Sequence, residues 1–451
     1  MTITSDLTTA PIPGLIRRLA IPAGTGFFFN TMFNVVDTWY GGQLSTTALA
    51  AMSLSFPVFF ILLSVGTGAS NAATALIGHA LGKGDITESR RLICQSITFA
   101  LLHALVLCGA GTAALPWLFS LLGAKGDYLS LAVSYMSVIF GGSLFFMLNF
   151  VSSAILSAHG DTASYRNFLI AGFFLNLALD PLFMYGGMGI PPLGLAGVAL
   201  ATVMIQCIGT IYLLGRIRNR QLLAGASLHS FMPESRHMKA LFGQGFPAAM
   251  NMMSVALGIF IITWFVGRFG TAAVAAYGIG TRIEQIALLP VMGLNISTMA
   301  LTAQNYGAGL IGRIRQVLYV SLKYGSVLAL CGLTAVFVFG GHLMGLFTRD
   351  AAVISIGVAF LKIEALVFPA YVLLYICGSA MQGIKRPVPV LWVGLYRQIA
   401  APVLAFQLLT TVLGWGIMGI WWGIFMVTWS AALFMGLFVN RLLLHLQKDS
   451  E

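Results

Sequence analysis

The sequence predicts an all-α polytopic membrane protein, and three observations lead to this class. Of the 451 residues, 58% are hydrophobic and only 8% are charged, whereas a soluble domain carries about 25% charged residues. The mean hydropathy is +0.91. Apolar runs long enough to cross a bilayer as helices, roughly 20 residues each, recur along the whole chain. The chain length therefore reflects many membrane spans and not many soluble domains.

Charged residues, glycines and prolines divide the apolar runs into twelve predicted transmembrane helices. They cover residues 15–40, 47–78, 92–122, 130–157, 165–186, 194–215, 240–266, 273–305, 316–347, 353–381, 388–412 and 416–441. The longest hydrophilic stretch lies near the midpoint. It divides the chain into a predicted N-lobe (1–215), a linker (216–239) and a C-lobe (240–451), with six helices in each lobe.

The basic residues are distributed unevenly between the two sets of connecting links. Alternate links, together with both termini, contain 17 of the 24 lysines and arginines, while the opposite set contains only Lys125, Arg268 and Arg349. The positive-inside rule then predicts a multi-pass protein of the cytoplasmic (inner) membrane, with both termini and the linker in the cytoplasm. Anionic lipid headgroups are sufficient partners for this basic charge. No nucleic-acid partner is expected.

The two halves of the chain show an internal repeat. When the first half is shifted by 225 residues, Gly68 aligns with Gly293, Arg90 aligns with Arg315, and "ALAA" at 48–51 aligns with "AVAA" at 273–276. The alignment weakens later, where "SAHG" and "AMQG" match only after a two-residue adjustment. Because each half has six spans, the copies run in the same direction, and we expect a parallel pseudo-two-fold repeat. Such repeats are typical of transporters.

Several polar side chains interrupt the spans of the first half. Asn30, Asn34 and Asp37 follow one another at i, i+4 and i+7 in the first span, and Asn176 and Asp180 are four apart in the fifth, so each set shares a helix face. A charged side chain in the bilayer core costs at least ~2.5 kcal/mol, which favours a function for both aspartates. Asn30 and Asn34 have an alternative role as hydrogen-bonding groups between helices.

Pro181 adds a local reason for a site at this position. Proline cannot donate to the carbonyl of Leu177, so an oxygen is expected to remain free one turn from Asp180. Two carboxylates, amides and a carbonyl are oxygen ligands that suit a proton or a small hard cation. The sequence therefore predicts an ion site formed by the first and fifth spans.

The acidic residues of the second half have cations close to them in sequence. Glu284 lies two residues from Arg282, and Glu364 lies two residues from Lys362. Local charge neutralisation and a functional role are both open for these glutamates. The repeat is asymmetric here, because the residue equivalent to Asp37 is Ile262.

Other function classes have less support. The seven histidines show no paired spacing, and the five cysteines (Cys94, Cys108, Cys207, Cys331 and Cys377) lie in apolar segments without the spacing of metal ligands. We therefore expect neither an enzyme nor a metal site, and no cofactor. A channel remains an alternative, although carboxylates in one half fit alternating access better than a charged pore ring.

Five segments in order resemble the multidrug and toxic compound extrusion (MATE) transporters, namely "NVVDTWYGG", "ALAAMSLSFPV", "LGKGD", "LNLALDPLFM" and "GLAGVALATV". The resemblance covers nearly the whole chain. It implies a monomeric secondary transporter that exports small, cationic amphipathic molecules by antiport of H⁺ or Na⁺. The implied coupling residues are Asp37, Asn176 and Asp180, with Thr202 of the sixth span as a fourth member.

The resemblance also bears on the branch of the family and on the main alternative. One branch uses acidic residues in its second lobe, but here the seventh span has no acid and Ala370 stands where that branch has aspartate. This favours the branch that resembles the DNA-damage-inducible transporters. The alternative function is a flippase for lipid-linked sugars, which would need a cluster of cations. Arg282, Lys362 and Arg397 are the candidates.

Overall fold

The computed structural model describes residues 6–187 and 189–448, and its regular structure is helical apart from one isolated bridge between Gly187 and Ile190. Sixteen α-helices follow one another in these residues. They are α1 (Ile12–Leu44), α2 (Thr46–Gly82), α3 (Ile86–Val106), α4 (Thr112–Leu121), α5 (Gly126–Gly141), α6 (Ser143–Ala158), α7 (Ala163–Tyr185), α8 (Leu195–Asn219), α9 (Ser235–Gly267), α10 (Thr271–Gly307), α11 (Ile311–Gly345), α12 (Ala351–Ala365), α13 (Phe368–Gly383), α14 (Val388–Leu395), α15 (Ala401–Gln407) and α16 (Ile417–Lys448). Two short 3₁₀ helices cover Asp6–Thr8 and Leu228–Phe231.

Ten of the helical segments are long and apolar enough to cross a membrane by themselves. Short π-helical turns join α3 to α4 and α14 to α15 within two of these segments. The pairs α5–α6 and α12–α13 are each bent by 49° at a short break, and each pair can form one further span. Counting each pair as one span gives twelve, the predicted number, and the helices extend a few residues beyond most predicted ends.

The two bent spans obey the 225-residue repeat. One covers residues 126–158 and the other 351–383, so both their first and last residues are 225 apart. The predicted weakening of the register near residue 157 is therefore wrong at the level of structure. The side chains diverge there, but the helix boundaries do not shift.

The chain forms two compact units, which do not divide at the predicted lobe boundaries. Of the described residues, one unit contains 25–249 and the other contains 6–24 and 250–448. The first part of α1 therefore packs with the second half of the sequence, and the first part of α9 packs with the first half. Apolar periodicity locates helices but does not show which neighbours a helix will have, so this exchange was not predicted.

Glycines explain how the exchanged helix segments pack so closely. In the first unit, a Cβ added at Gly68 of α2 would lie 2.5 Å from the carbonyl oxygen of Gly245 in α9. In the second unit, a Cβ added at Gly293 of α10 would lie 2.8 Å from the backbone nitrogen of Gly24 and would also meet the carbonyl of Ala20. Backbone atoms cannot move away as a flexible side chain can, so these contacts require glycine.

The predicted linker is shorter and more ordered than the sequence indicated. Helices α8 and α9 extend into it, and the remaining link is held against α3. The Gln95 amide donates to the carbonyls of Ser230 and Met232, at 3.0 and 2.7 Å, and the Thr98 hydroxyl donates to the carbonyl of Phe231 at 2.7 Å. These bonds satisfy backbone groups that a loop would otherwise present to water.

Helices α7 and α8 are fixed against each other at both ends. At one end, Asp161 forms an ion pair with Arg220 at 2.6 Å and accepts a hydrogen bond from the Ser164 hydroxyl at 2.6 Å. At the other end, Gly197 lies so close to the carbonyl of Phe183 that a Cβ would collide with it. These two contacts therefore fix the positions of the polar residues of α7 relative to those of α8.

Candidate ion-coupling site

Three spans of the first unit bring polar side chains together around Asp37. The Asp37 carboxylate of α1 is buried and accepts a hydrogen bond from the Asn176 amide of α7, with 2.8 Å between Nδ2 and Oδ1. Its other oxygen accepts a bond from the Thr202 hydroxyl of α8 at 3.3 Å. Asn176 and Thr202, two of the residues that the resemblance implies, therefore both contact Asp37.

Asp180 is the fourth member of this group and lies one turn after Asn176 in α7. Its side chain is fully buried and interacts with the carboxyl group of Asp37. Neither carboxylate oxygen of Asp180 has a hydrogen-bond partner among residues 6–187 and 189–448, and the same is true of the Asn176 amide oxygen. Three buried acceptor atoms therefore lie beside a second carboxylate without a donor from the described chain.

The interpretation of Pro181 needs one correction. The carbonyl of Leu177 is not free, because the Tyr40 hydroxyl of α1 donates to it at 3.2 Å. Tyr40 thus binds the backbone at the Pro181 position and stands one turn after Asp37. Tyr40 was not among the predicted site residues, although its i+3 spacing from Asp37 was a usable signal.

A second tyrosine borders the site from another helix. Tyr135 of α5 is partly buried and close enough to interact electrostatically with both Asp37 and Asp180. Nothing in its local sequence distinguishes it from the other tyrosines, and only the packing of α5 against α8 reveals its position.

The two asparagines of the first span lie outside this group. Asn30 and Asn34 are both exposed, and the Asn34 amide donates at 2.8 Å to the backbone carbonyl of Asn30 in its own helix. They share a helix face with Asp37 by spacing, but only Asp37 is buried and contacts Asn176 and Thr202. The structure thus includes Asp37, Asn176, Asp180 and Thr202 and omits this pair.

The charge of the site is not balanced by a nearby base. Within the described ranges, neither Asp37 nor Asp180 forms an ion pair with a lysine, arginine or histidine. Two adjacent carboxylates in such surroundings repel each other when both are ionised, and burial adds a desolvation cost. A bound proton or a small hard cation would remove the repulsion and occupy the acceptor atoms that lack a donor.

The second unit contains a different group of ionisable side chains. The carboxyls of Glu284 (α10) and Glu364 (α12) both interact with the Tyr371 hydroxyl of α13 and with the Arg397 guanidinium. Arg397 also lies 5.5 Å from the centre of the Tyr371 ring. Glu364 is buried, and its Oε1 has no hydrogen-bond partner in the described part of the chain.

The local pairs that the sequence left open, Arg282 with Glu284 and Lys362 with Glu364, are not among the ion pairs of the described residues. Arg282 and Lys362 are exposed, whereas the glutamates turn towards Arg397. Residues two apart on a helix point in different directions, which disfavours such pairs. Arg397 itself lies in a π-helical turn, Tyr396–Ala400, a feature that often occurs at functional sites.

This geometry predicts unequal effects for the two arginines. We expect Arg397→Gln to lower stability by roughly 1 kcal/mol or more, because it leaves two carboxyls without their shared cation. Arg282→Gln, which removes an equal charge from an exposed position, should change stability little. Thermal unfolding in detergent measures both, and equal effects would contradict the assignment of Arg397 as the partner.

No group of three or more histidine, cysteine, aspartate or glutamate side chains has an arrangement suited to a metal ion in residues 6–187 and 189–448. The acidic groups described above are pairs supported by amides, hydroxyls or a guanidinium. Each group thus offers two carboxyls and neutral or cationic neighbours.

The comparison with protein families identifies both halves of the chain. The MatE family model matches residues 22–182 and again residues 247–407. The two matches are equal in length and start 225 residues apart, which is the shift found in the sequence. The matched ranges include α7 up to Asp180 and the whole group around Glu284, Glu364 and Arg397.

The chain aligns over most of its length with transporters of two bacteria. The FAD transporter of Shewanella oneidensis is 30% identical over 400 residues, which is 87% of this chain and 87% of that protein. The multidrug export protein MepA of Staphylococcus aureus (strain NCTC 8325 / PS 47) is 26% identical over 358 residues, which is 78% of each chain.

Solved structures share the fold over nearly the full length. A MOP superfamily transporter from Pyrococcus furiosus, whose binding pocket is described as having reverse polarity, matches with a TM-score of 0.92 at 22% identity, covering 98% of both chains. An outward-facing multidrug resistance MATE family transporter matches with the same TM-score, identity and coverage.

These comparisons confirm the predicted fold class of twelve transmembrane helices in two repeated lobes, and the prediction that the protein is not an enzyme. They do not test the membership of the DNA-damage-inducible branch, which stays a prediction. The two family matches and the 30% identity over most of the chain establish that this multi-pass membrane protein belongs to the MATE family of transporters.

Proposed function

We propose that the protein exports small, cationic amphipathic molecules by antiport of H⁺ or Na⁺, with Asp37, Asn176, Asp180 and Thr202 as the coupling site. The observation that carries this proposal is the shortage of donors around Asp180. Both carboxylate oxygens of Asp180 and the amide oxygen of Asn176 are buried and have no hydrogen-bond donor in the described residues. They lie beside the carboxylate of Asp37, and neither carboxylate forms an ion pair with a basic side chain of the described residues. An ion that binds there stabilises the site directly.

The mechanism follows from the neighbours of the two carboxylates. Binding of H⁺ or Na⁺ removes the repulsion between Asp37 and Asp180 and allows α1 and α7 to approach. The hydrogen bond from Tyr40 to the carbonyl of Leu177 transmits this change to the backbone at Pro181. The coupling between ion and substrate needs about 1–3 kcal/mol, with opposite preferences for the same conformation.

The substrate class has two candidates that the relatives support. The MepA relative is named as a multidrug exporter, which agrees with cationic amphipathic substrates. The FAD transporter, which shows the higher identity of the two relatives, favours a flavin dinucleotide as the second candidate. A dinucleotide carries negative phosphates and would need a cationic contact, which an organic cation would not.

The flippase alternative loses the feature on which it depended. Arg282 and Lys362 are exposed, and Arg397 is engaged with two carboxyls and a tyrosine ring. The charge of Arg397 is therefore already matched by carboxyls, which leaves less cation for a pyrophosphate group. We retain both termini as cytoplasmic on the basis of the charge distribution, and a monomer as the functional state.

The experiment that tests the proposal uses purified protein in proteoliposomes. A pH gradient and a Na⁺ gradient are imposed separately, and the movement of ethidium and of FAD is measured against each. We expect one gradient to drive uphill movement of ethidium. If neither gradient drives either compound, antiport is contradicted, and if only FAD moves, the second candidate replaces the first.

A further inference from the structure

The second unit has a groove between helices that the coupling mechanism does not use. Its volume is about 690 Å³, and it is lined by the start of α1, α11, α13 and the last part of α16. The groove is open along one side, where the Tyr319 side chain is 70% exposed. The lining of the groove is mostly apolar, and α11 and α16 are long and apolar enough to cross a membrane, so an acyl chain is a chemically suitable occupant.

The groove has a polar end and an apolar end. Arg313 and Arg315 of α11 line it near the helix start, and Leu322, seven residues after Arg315, lines it about 10 Å further along the axis. On α16, Leu443 and Gly436 border the same groove over an equal distance. A ligand with an anionic head and an apolar chain matches this division.

Both arginines keep donors for a ligand. Arg313 uses Nε for Asn305 and Nη2 for the carbonyl of Ala10, at 3.0 and 2.8 Å, which fixes the guanidinium and leaves Nη1. Arg315 is exposed and donates from Nη1 to Gln447 at 2.9 Å. Between residues 7 and 448, Met188 excepted, neither arginine forms an ion pair with a carboxylate.

We propose that this groove binds one anionic phospholipid, with the phosphate at Arg313 and Arg315 and an acyl chain along α11 and α16 towards Leu322. The fixed guanidinium of Arg313 supplies a preorganised contact, and the exposed Arg315 completes a two-arginine clamp on the phosphate. A zwitterionic lipid offers the same chain but brings a positive group to the two arginines. The site therefore selects for net negative charge.

The repeat supplies a matched control. Arg90 of α3 is equivalent to Arg315 by the 225-residue shift, is exposed at the start of its helix, and belongs to the other unit. Arg90→Gln thus removes the same charge from an equivalent position without touching the groove. Arg315→Gln tests the polar end, and Leu322→Trp tests the apolar end by filling it.

The test measures bound lipid by native mass spectrometry of the purified transporter. Phosphatidylglycerol, phosphatidylcholine with the same chains, short-chain phosphatidylglycerol and inorganic phosphate are titrated separately. We expect one tightly retained phosphatidylglycerol, and an affinity about fivefold to tenfold weaker in Arg315→Gln. Leu322→Trp should weaken the long-chain lipid and spare the phosphate end, whereas Arg90→Gln should match the wild type.

Each other outcome overturns a part of the proposal. Equal binding of phosphatidylcholine removes the charge selection, and equal binding of inorganic phosphate identifies a free-anion site in place of a lipid site. Equal losses in Arg90→Gln and Arg315→Gln identify a general charge effect. Thermal unfolding of each variant shows whether a loss of binding comes from a defect in folding. If Arg315→Gln and Leu322→Trp both bind phosphatidylglycerol as the wild type does, the groove is not the binding site.

Discussion

Asp180→Asn and Asp37→Asn should each abolish ion-driven export while leaving folded, membrane-inserted protein. Asparagine has nearly the same shape as aspartate, so the packing of α1, α7 and α8 is kept. Each change removes one of the two negative charges and places an amide, which can donate a hydrogen bond, beside the carboxylate that remains. The site then no longer needs an ion to relieve repulsion, and the driving gradient loses its binding step.

The magnitude follows from the coupling energy. A loss of 1–3 kcal/mol of coupling corresponds to roughly 5-fold to 150-fold in the effect of the ion on substrate affinity. In the wild type, substrate binding should weaken as the pH falls or as Na⁺ rises, because ion and substrate favour opposite states. In either variant this dependence should become flat.

The control is Asp127→Asn, which changes an exposed carboxylate of the same unit at the start of α5. It should transport at the wild-type rate. Uphill efflux in proteoliposomes and equilibrium binding of the substrate give the two readouts. If both site variants export at the wild-type rate, the carboxylates have a structural role and the coupling mechanism is wrong.

The second large effect concerns the glycines at which exchanged helix segments cross. Gly293→Leu should destabilise the protein by at least about 3 kcal/mol, the upper part of the range for overpacking, because the new side chain meets backbone atoms of Ala20 and Gly24. Gly68→Leu should have a comparable effect through the backbone of Gly245. The similarity is expected because the two positions are equivalent in the repeat.

Gly278→Leu provides the control for helix α10. This glycine has no heavy atom within 4 Å of an added Cβ, so a larger side chain has space there. Its replacement should be neutral or slightly stabilising, because leucine favours a helix more than glycine does. Folded yield and thermal unfolding in detergent compare the three variants. Equal stability of Gly293→Leu and Gly278→Leu would show that the crossing is not closely packed.

The positions of the spans, and the polar residues of the site in the first unit, could be predicted from the sequence. Charged and glycine-rich links separate the apolar runs, so the spans could be located without knowing which helices pack against each other. Asp37, Asn176 and Asp180 were detectable because polar groups are rare in such runs and their helical spacing places them on defined faces.

The missing parts depend on contacts between distant segments. The bond from Tyr40 to the carbonyl of Leu177 joins residues 137 apart. Arg397 interacts electrostatically with Glu284, which is more than 100 residues earlier in the chain, and it lies in a π-helical turn that no local sequence pattern predicted. The sequence also left open a local pair of Glu284 with Arg282, because proximity in sequence does not show proximity in space. Tertiary packing decided each case.

The exchange of helix segments determines the order in which the chain can assemble during synthesis. The unit that contains residues 25–249 lacks the partner of Gly68 until the ribosome has passed Gly245, well after its other spans have been inserted. Residues 6–24 are made early, yet their partner Gly293 is made almost 270 residues later. Six complete spans and part of the eighth span are therefore translated before the early segment can meet this partner. A gene that encoded each half as a separate polypeptide would have to restore both crossings between two chains.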